Sequence, residues 1–120
     1  MELAPHAAAL GIKFYKGDMF PLRFKNSAII AEHGSWNRVP PIGYRLTFVS
    51  FNENNDAFDA EEFVGGFVKN LSAENFLSHQ EGCGRPVDIL ELPDGSVLFT
   101  DDMGGKIFRI TYEEPPVTFE

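Results

Sequence analysis

Only one cysteine, Cys83, stands in the 120 residues, so no internal disulfide can form and the fold must rest on packing. Positive charge is also scarce. Ten Lys and Arg against 18 Asp and Glu leave a formal charge of −8, which argues against a partner built on a phosphate backbone, so nucleic acid is not expected. No stretch approaches the ~20 apolar residues of a membrane-spanning helix, so no membrane partner is expected. The N-terminus Met1-Glu2-Leu3-Ala4-Pro5-His6 has no basic region, and its Ala7-Ala8-Ala9-Leu10 run stops at Gly11. It does not read as a secretory signal. The expectation is therefore cytoplasmic as the chain stands, or periplasmic or secreted if a leader lies upstream. Disorder is excluded by abundance instead: 43% of residues are hydrophobic and 12 are Phe.

Long helical windows are missing too, because 11 Gly and 8 Pro interrupt the chain every few positions. The chain reads as all-β. Strands are expected at 12–15, 28–32, 44–51, 63–68, 87–92, 97–100 and 107–112, each short and bounded by turn residues. Pro93-Asp94-Gly95 fixes one φ and then tolerates a positive one between two apolar runs, which predicts a hairpin. One helix is expected at 73–79, capped by Ser72 with Phe76 and Leu77 as its apolar face.

The second half repeats the first with loops of different length. Phe20-Pro21 matches Leu92-Pro93, the run from Ser27 to His33 matches that from Ser96 to Asp102, and Tyr44-Arg45-Leu46-Thr47-Phe48 matches Phe108-Arg109-Ile110-Thr111-Tyr112. Each unit is an apolar strand, a turn, a second strand ending in polar residues, a glycine-bearing loop, and an aromatic-Arg-aliphatic-Thr-aromatic third strand. That is the grammar of a β-propeller blade. Residues 1–70 form the first expected blade and 71–120 the second, together one partial propeller domain of about two four-stranded antiparallel blades. The first two strands are expected to be buried on both faces and the third half exposed. Ile29, Ile30, Val97, Leu98, Phe99, Ile107 and Phe108 are the expected core.

The loop His33-Gly34-Ser35-Trp36-Asn37-Arg38 followed by Gly43-Tyr44, with the segment from Gly84-Arg85-Pro86 through Pro93-Asp94-Gly95 to Asp101-Asp102, resembles the C-terminal portion of the glucose/sorbosone dehydrogenase family. The resemblance runs from His6-Ala7-Ala8 to Tyr112. It implies a six-bladed propeller that oxidises sugars with pyrroloquinoline quinone. Family members are roughly three times longer, and their catalytic histidine base and most calcium ligands lie in blades outside this stretch, so no catalytic residue is assigned and calcium is expected of the full-length family only. On the resemblance, Arg38 stands beside the quinone, His6 sits in a loop at the mouth of the same cavity, and Arg85 begins an inner strand near it. A quinone bearing three carboxylates suits an always-charged guanidinium fork.

Other residues take plainer readings. His33 and Trp36 fit loop packing against a neighbouring blade as well as they fit ligand contact. Asp101-Asp102 is expected to accept backbone N–H bonds ahead of Gly104-Gly105 rather than bind a metal. Glu61-Glu62 and Glu113-Glu114 read as solvated edges. His79 and Cys83 have no second pair to complete a zinc site.

The implied function is a sugar-dehydrogenase segment that works with pyrroloquinoline quinone once further blades complete it. The alternative is an inactive binding or assembly module that keeps a partial propeller. Two blades cannot close a ring, so self-association is expected, a trimer first and a dimer next, with Val117-Thr118-Phe119 available to complete the second blade of another copy.

Overall fold

The computed structural model describes residues 1–36, 38, 40–68 and 84–117. Seven antiparallel strands form two sheets in strict chain order, β1 (Ala9–Phe14), β2 (Ala28–Glu32), β3 (Arg45–Phe51) and β4 (Ala57–Val64) in one, β5 (Pro86–Glu91), β6 (Val97–Asp101) and β7 (Lys106–Ile110) in the other. Each of the seven expected strands has a counterpart. The turn chemistry explains two of the joins. Gly95 adopts φ 86° and donates to Leu92 O, while Asp94 Oδ1 accepts from Ser96 N and Oγ, closing the β5–β6 hairpin. Asn52 Oδ1 likewise takes the N–H groups of Asn54 and Asp56, so residues expected as a polar linker form a tight hairpin turn. β4 therefore begins at Ala57, earlier than expected, and 65–68 continue outside it. A short 3₁₀ turn, Leu22–Phe24, was not anticipated. The helix expected at 73–79, and His79 and Cys83 with it, lie outside the described residues.

The two registers repeat. Ala9 pairs with Glu32 and Ile12 with Ile30 across a bulge; Pro86 pairs with Asp101 and Ile89 with Phe99 across a bulge in the same place. β3 and β7 follow suit, with Ala28↔Val49 and Ala31↔Leu46 answering Val97↔Ile110 and Thr100↔Ile107. The match of the second strands is as the sequence suggests. The outer matches are corrected: Leu92, whose N–H bonds Ser96 O, answers Tyr15, whose N–H bonds Ser27 O, and not Phe20. In the third strand Leu46 answers Ile107 and not Ile110, because the aromatic-Arg pattern is shared by residues at different heights in the two ladders.

The core lies between the sheets: Tyr15, Phe20, Ile29, Ala31 and Leu46 from one side, Ile89, Val97 and Phe99 from the other. Rings of Phe20, Phe24, Phe48 and Phe63 interlock at centroid distances of 4.8–6.5 Å, and Phe67, Phe99 and Phe108 form a second cluster. Such pairs add to burial through edge and offset contacts. The approach is close at the first strands, where a Cβ on Gly11 would stand 2.7 Å from Val87 O. Tyr15 ties the units together, its hydroxyl donating to Gly95 O and accepting from Met19 and Phe20 N–H.

Burial departs from expectation on the outer faces. Phe99, Ile29 and Val97 are buried, but Ile107 is 71% exposed and Ile30, Leu98 and Phe108 only half-buried. β1 likewise shows Ile12 at 63% and Phe14 at 44%. Phe108 stacks on Phe99 at the margin of the core, while the others point away from the one facing sheet present. β3, expected half exposed, is buried instead because it lies between β2 and β4 with Phe24 and Arg23 over Phe48. The second sheet has three strands rather than four among the described residues, and the two sheets form no closed ring.

Candidate functional site

β2 ends at Glu32, fully buried with its Oε2 2.6 Å from Arg45 Nε. The chain then turns into a loop held from several sides. Backbone N–H groups of His33 and Gly34 donate to Ala8 O and Ala7 O, so the segment before β1 is strapped along the loop. Gly34 has φ 103°, and a Cβ there would stand 2.5 Å from the Tyr44 ring, so only glycine lets the ring lie against it. The loop closes on itself: Ser35 N–H bonds Ile42 O, and Ile42 N–H bonds Ser35 Oγ. Tyr44 Oη donates to Ser35 O.

The second unit reaches across to the same loop. Arg85 Nε donates to His33 O at 3.1 Å and its Nη2 to Gly34 O at 2.5 Å, with Ser35 O at 3.4 Å, while the guanidinium stands over the Tyr44 ring at 5.2 Å. Asp101 Oδ1 fixes the backbone of Arg85 and also accepts from Gly104 N–H, the carboxylate-to-backbone role expected of it. Asp102 departs from that role and meets His33 Nε2 at 2.8 Å. The His33 hydrogen bond holds the Asp102 carboxyl below its ordinary value, against the opposing effect of burial and with the aid of the charges of His33 and Arg85.

The structure thus brings the three candidate residues to one loop. Arg38 lies between β2 and β3, half-buried, with Nη1 on Pro5 O at 3.1 Å; Glu61, at the outer edge, is taken by Arg23. His6 follows Pro5, is exposed, and holds φ 67°. Arg85 faces the carbonyls of the loop rather than open space. Trp36 is 73% exposed, so it does not pack against the second unit. The donor set suits an anionic ligand: Nε and Nη2 of Arg38 have no partner among the described residues. Sequence reasoning missed the His33–Asp102 bridge and the strut role of Arg85. Nothing local marks either pair, since each partner lies in the other repeat.

The model of the TrAA12-like family matches residues 1–113. The chain belongs to the TrAA12-like family. An uncharacterized protein of Borreliella burgdorferi is 45% identical over 114 residues, which are 94% of this TrAA12-like chain and 28% of that protein. A pyrroloquinoline quinone-dependent pyranose dehydrogenase of Coprinopsis cinerea is 29% identical over 126 residues, 96% of this chain and 16% of that enzyme. The chain therefore spans well under a third of the curated relatives it matches. Among solved structures, a Trichoderma reesei carbohydrate-active enzyme of family AA12 superposes with TM-score 0.67 at 25% identity over 87% of this chain and 24% of that one. The holo pyranose dehydrogenase PQQ domain of Coprinopsis cinerea gives 0.64 at 25% identity, over 90% of this chain and 27% of that one. An all-β, two-sheet member of a family related to quinone-dependent sugar dehydrogenases is thereby shown.

Proposed function

We propose that this segment supplies part of the wall of a pyrroloquinoline quinone site in a sugar-oxidising enzyme, its two sheets serving as two blades of a six-bladed propeller. The observation that carries the reading is the half-buried Arg38 guanidinium, with two of its nitrogens unpartnered among the described residues, on a loop braced from both units. When bound there, the quinone supplies the acceptor for a hydride from the sugar. The chain's own part is recognition. Arg38 offers its remaining N–H groups to a carboxylate, Trp36 presents a ring face, and Arg85 acts through the loop by holding its carbonyls in place. His33, hydrogen-bonded to Asp102, orients the loop against the second unit. That tie commits His33 to a carboxylate and favours binding over catalysis by this segment alone.

Trp36 is the only tryptophan, so its fluorescence reports the site directly. Titration with pyrroloquinoline quinone and calcium should quench it saturably. Arg38→Ala should weaken binding by about 1.5–3 kcal/mol, the value of a charged hydrogen bond. Absence of saturable quenching, or an Arg38→Ala curve that overlays the parent, would remove the reading.

A further inference from the structure

Two buried side-chain oxygens of the first sheet, Glu32 Oε1 and Thr47 Oγ1, have no hydrogen-bond partner among the described residues. The register puts them on neighbouring rungs. Glu32 pairs with Arg45 and Ile30 with Thr47 across β2 and β3, and because every second residue shares a face, both side chains stand on the face turned away from the second sheet. Ile12 on that face is 63% exposed, yet Glu32 is 0% exposed and Thr47 2%. Neither oxygen reaches the surface, so no residue of a longer polypeptide can come up to it. A partner has to be small enough to lie inside.

The second unit shows the same place filled by protein atoms. There Asp101 answers Glu32 and Phe108 answers Thr47. The shorter Asp101 carboxylate takes the backbone N–H groups of Arg85 and Gly104, and the Phe108 ring stacks on Phe99. In the first unit the loop 33–44 stands where the second has the short turn 102–105 that brings Gly104 to the carboxylate, and a hydroxyl replaces the ring. We propose that one internal water molecule binds between Glu32 and Thr47, donating to the carboxylate Oε1 and sharing a hydrogen bond with the hydroxyl, which can donate or accept. Charge favours water over a cation, because Arg45 Nε stands 2.6 Å from the other Glu32 oxygen and already balances it. The Glu32–Arg45 rung closes the foot of loop 33–44, so this water is built into the base from which the loop rises.

Thr47→Val removes the hydroxyl and keeps the side chain's shape, and valine suits a strand, so the sheet survives the change. Deleting a buried hydroxyl that has no partner leaves stability equal or higher, whereas deleting one that holds a water lowers it. Oxygen-17 relaxation dispersion counts the waters that stay bound for longer than the protein tumbles. The parent and Thr47→Ser should each show one such water more than Thr47→Val, and Thr47→Val should melt below both. Equal counts in the parent and Thr47→Val would overturn the proposal. A Thr47→Val chain that melts at or above the parent would overturn it too. A parent that melts higher in potassium chloride than in tetramethylammonium chloride of equal strength, with Thr47→Val indifferent to the exchange, would overturn it in favour of a bound cation.

Discussion

Removing the Arg85 side chain should loosen one loop and the contact between two sheets at once. Its guanidinium makes two short charged bonds to His33 O and Gly34 O, a longer one to Ser35 O, and a cation–π contact with Tyr44. A charged hydrogen bond contributes about 1.5–3 kcal/mol net, but this side chain is half-buried and water can reach part of what it vacates, so Arg85→Ala should cost about 3 kcal/mol in all rather than the sum of its contacts. For a chain of this size that is a fall of roughly 10 °C in melting temperature. Arg85→Lys keeps the charge but cannot fork onto two carbonyls, so it should recover less than half of the loss. Trp36 supplies a second readout, because its fluorescence anisotropy should drop in Arg85→Ala as the loop gains freedom. An Arg85→Ala protein that melts with the parent and shows unchanged Trp36 anisotropy would refute the bracing role.

Tyr15→Phe removes the hydroxyl that serves Gly95 O, Met19 N–H and Phe20 N–H in a buried position, and should cost about 1–3 kcal/mol in urea denaturation while leaving the slope unchanged. Phe99→Ala opens the middle of the core and should cost about 3–5 kcal/mol, enough to leave little folded protein by circular dichroism. Asp102 has a lowered folded pKa, so its contribution is present above the unfolded carboxylate value of about 4 and is lost as pH falls through the folded one. His33→Ala should raise the Asp102 titration midpoint, followed by carboxyl carbon NMR, and shrink that acid-limb loss; an unmoved midpoint would show that His33 is not its cause.

Much of the fold was legible because strand positions follow local pattern. Ala28-Ile29-Ile30-Ala31-Glu32 is bounded by turn residues and emerged with the expected limits, and Pro93-Asp94-Gly95 specified its hairpin. Burial was less legible: Ile107 is as apolar as Val97, and only the location of the facing sheet separates an exposed side chain from a core one. The third-strand repeat misled for a related reason, since Tyr44-Arg45 and Phe108-Arg109 look alike while cross-strand hydrogen bonds, not residue types, set the height of a strand in its ladder. At the site, the motif around Trp36 and Arg38 identified the loop. The side chains that hold it, Arg85 and Asp102, were 50 residues or more away and could be assigned only after folding.

The Arg85 brace also couples two equilibria. Its acceptors belong to the loop and its backbone to the second sheet, so the ordered loop and the closed junction between sheets share one free energy. A ligand that prefers the braced loop must tighten the junction, and any agent that parts the sheets must weaken that ligand by the same factor. Heat resistance of the chain should therefore climb with the logarithm of the concentration of such a ligand above its dissociation constant, making a melting curve a gauge of how far the loop is occupied.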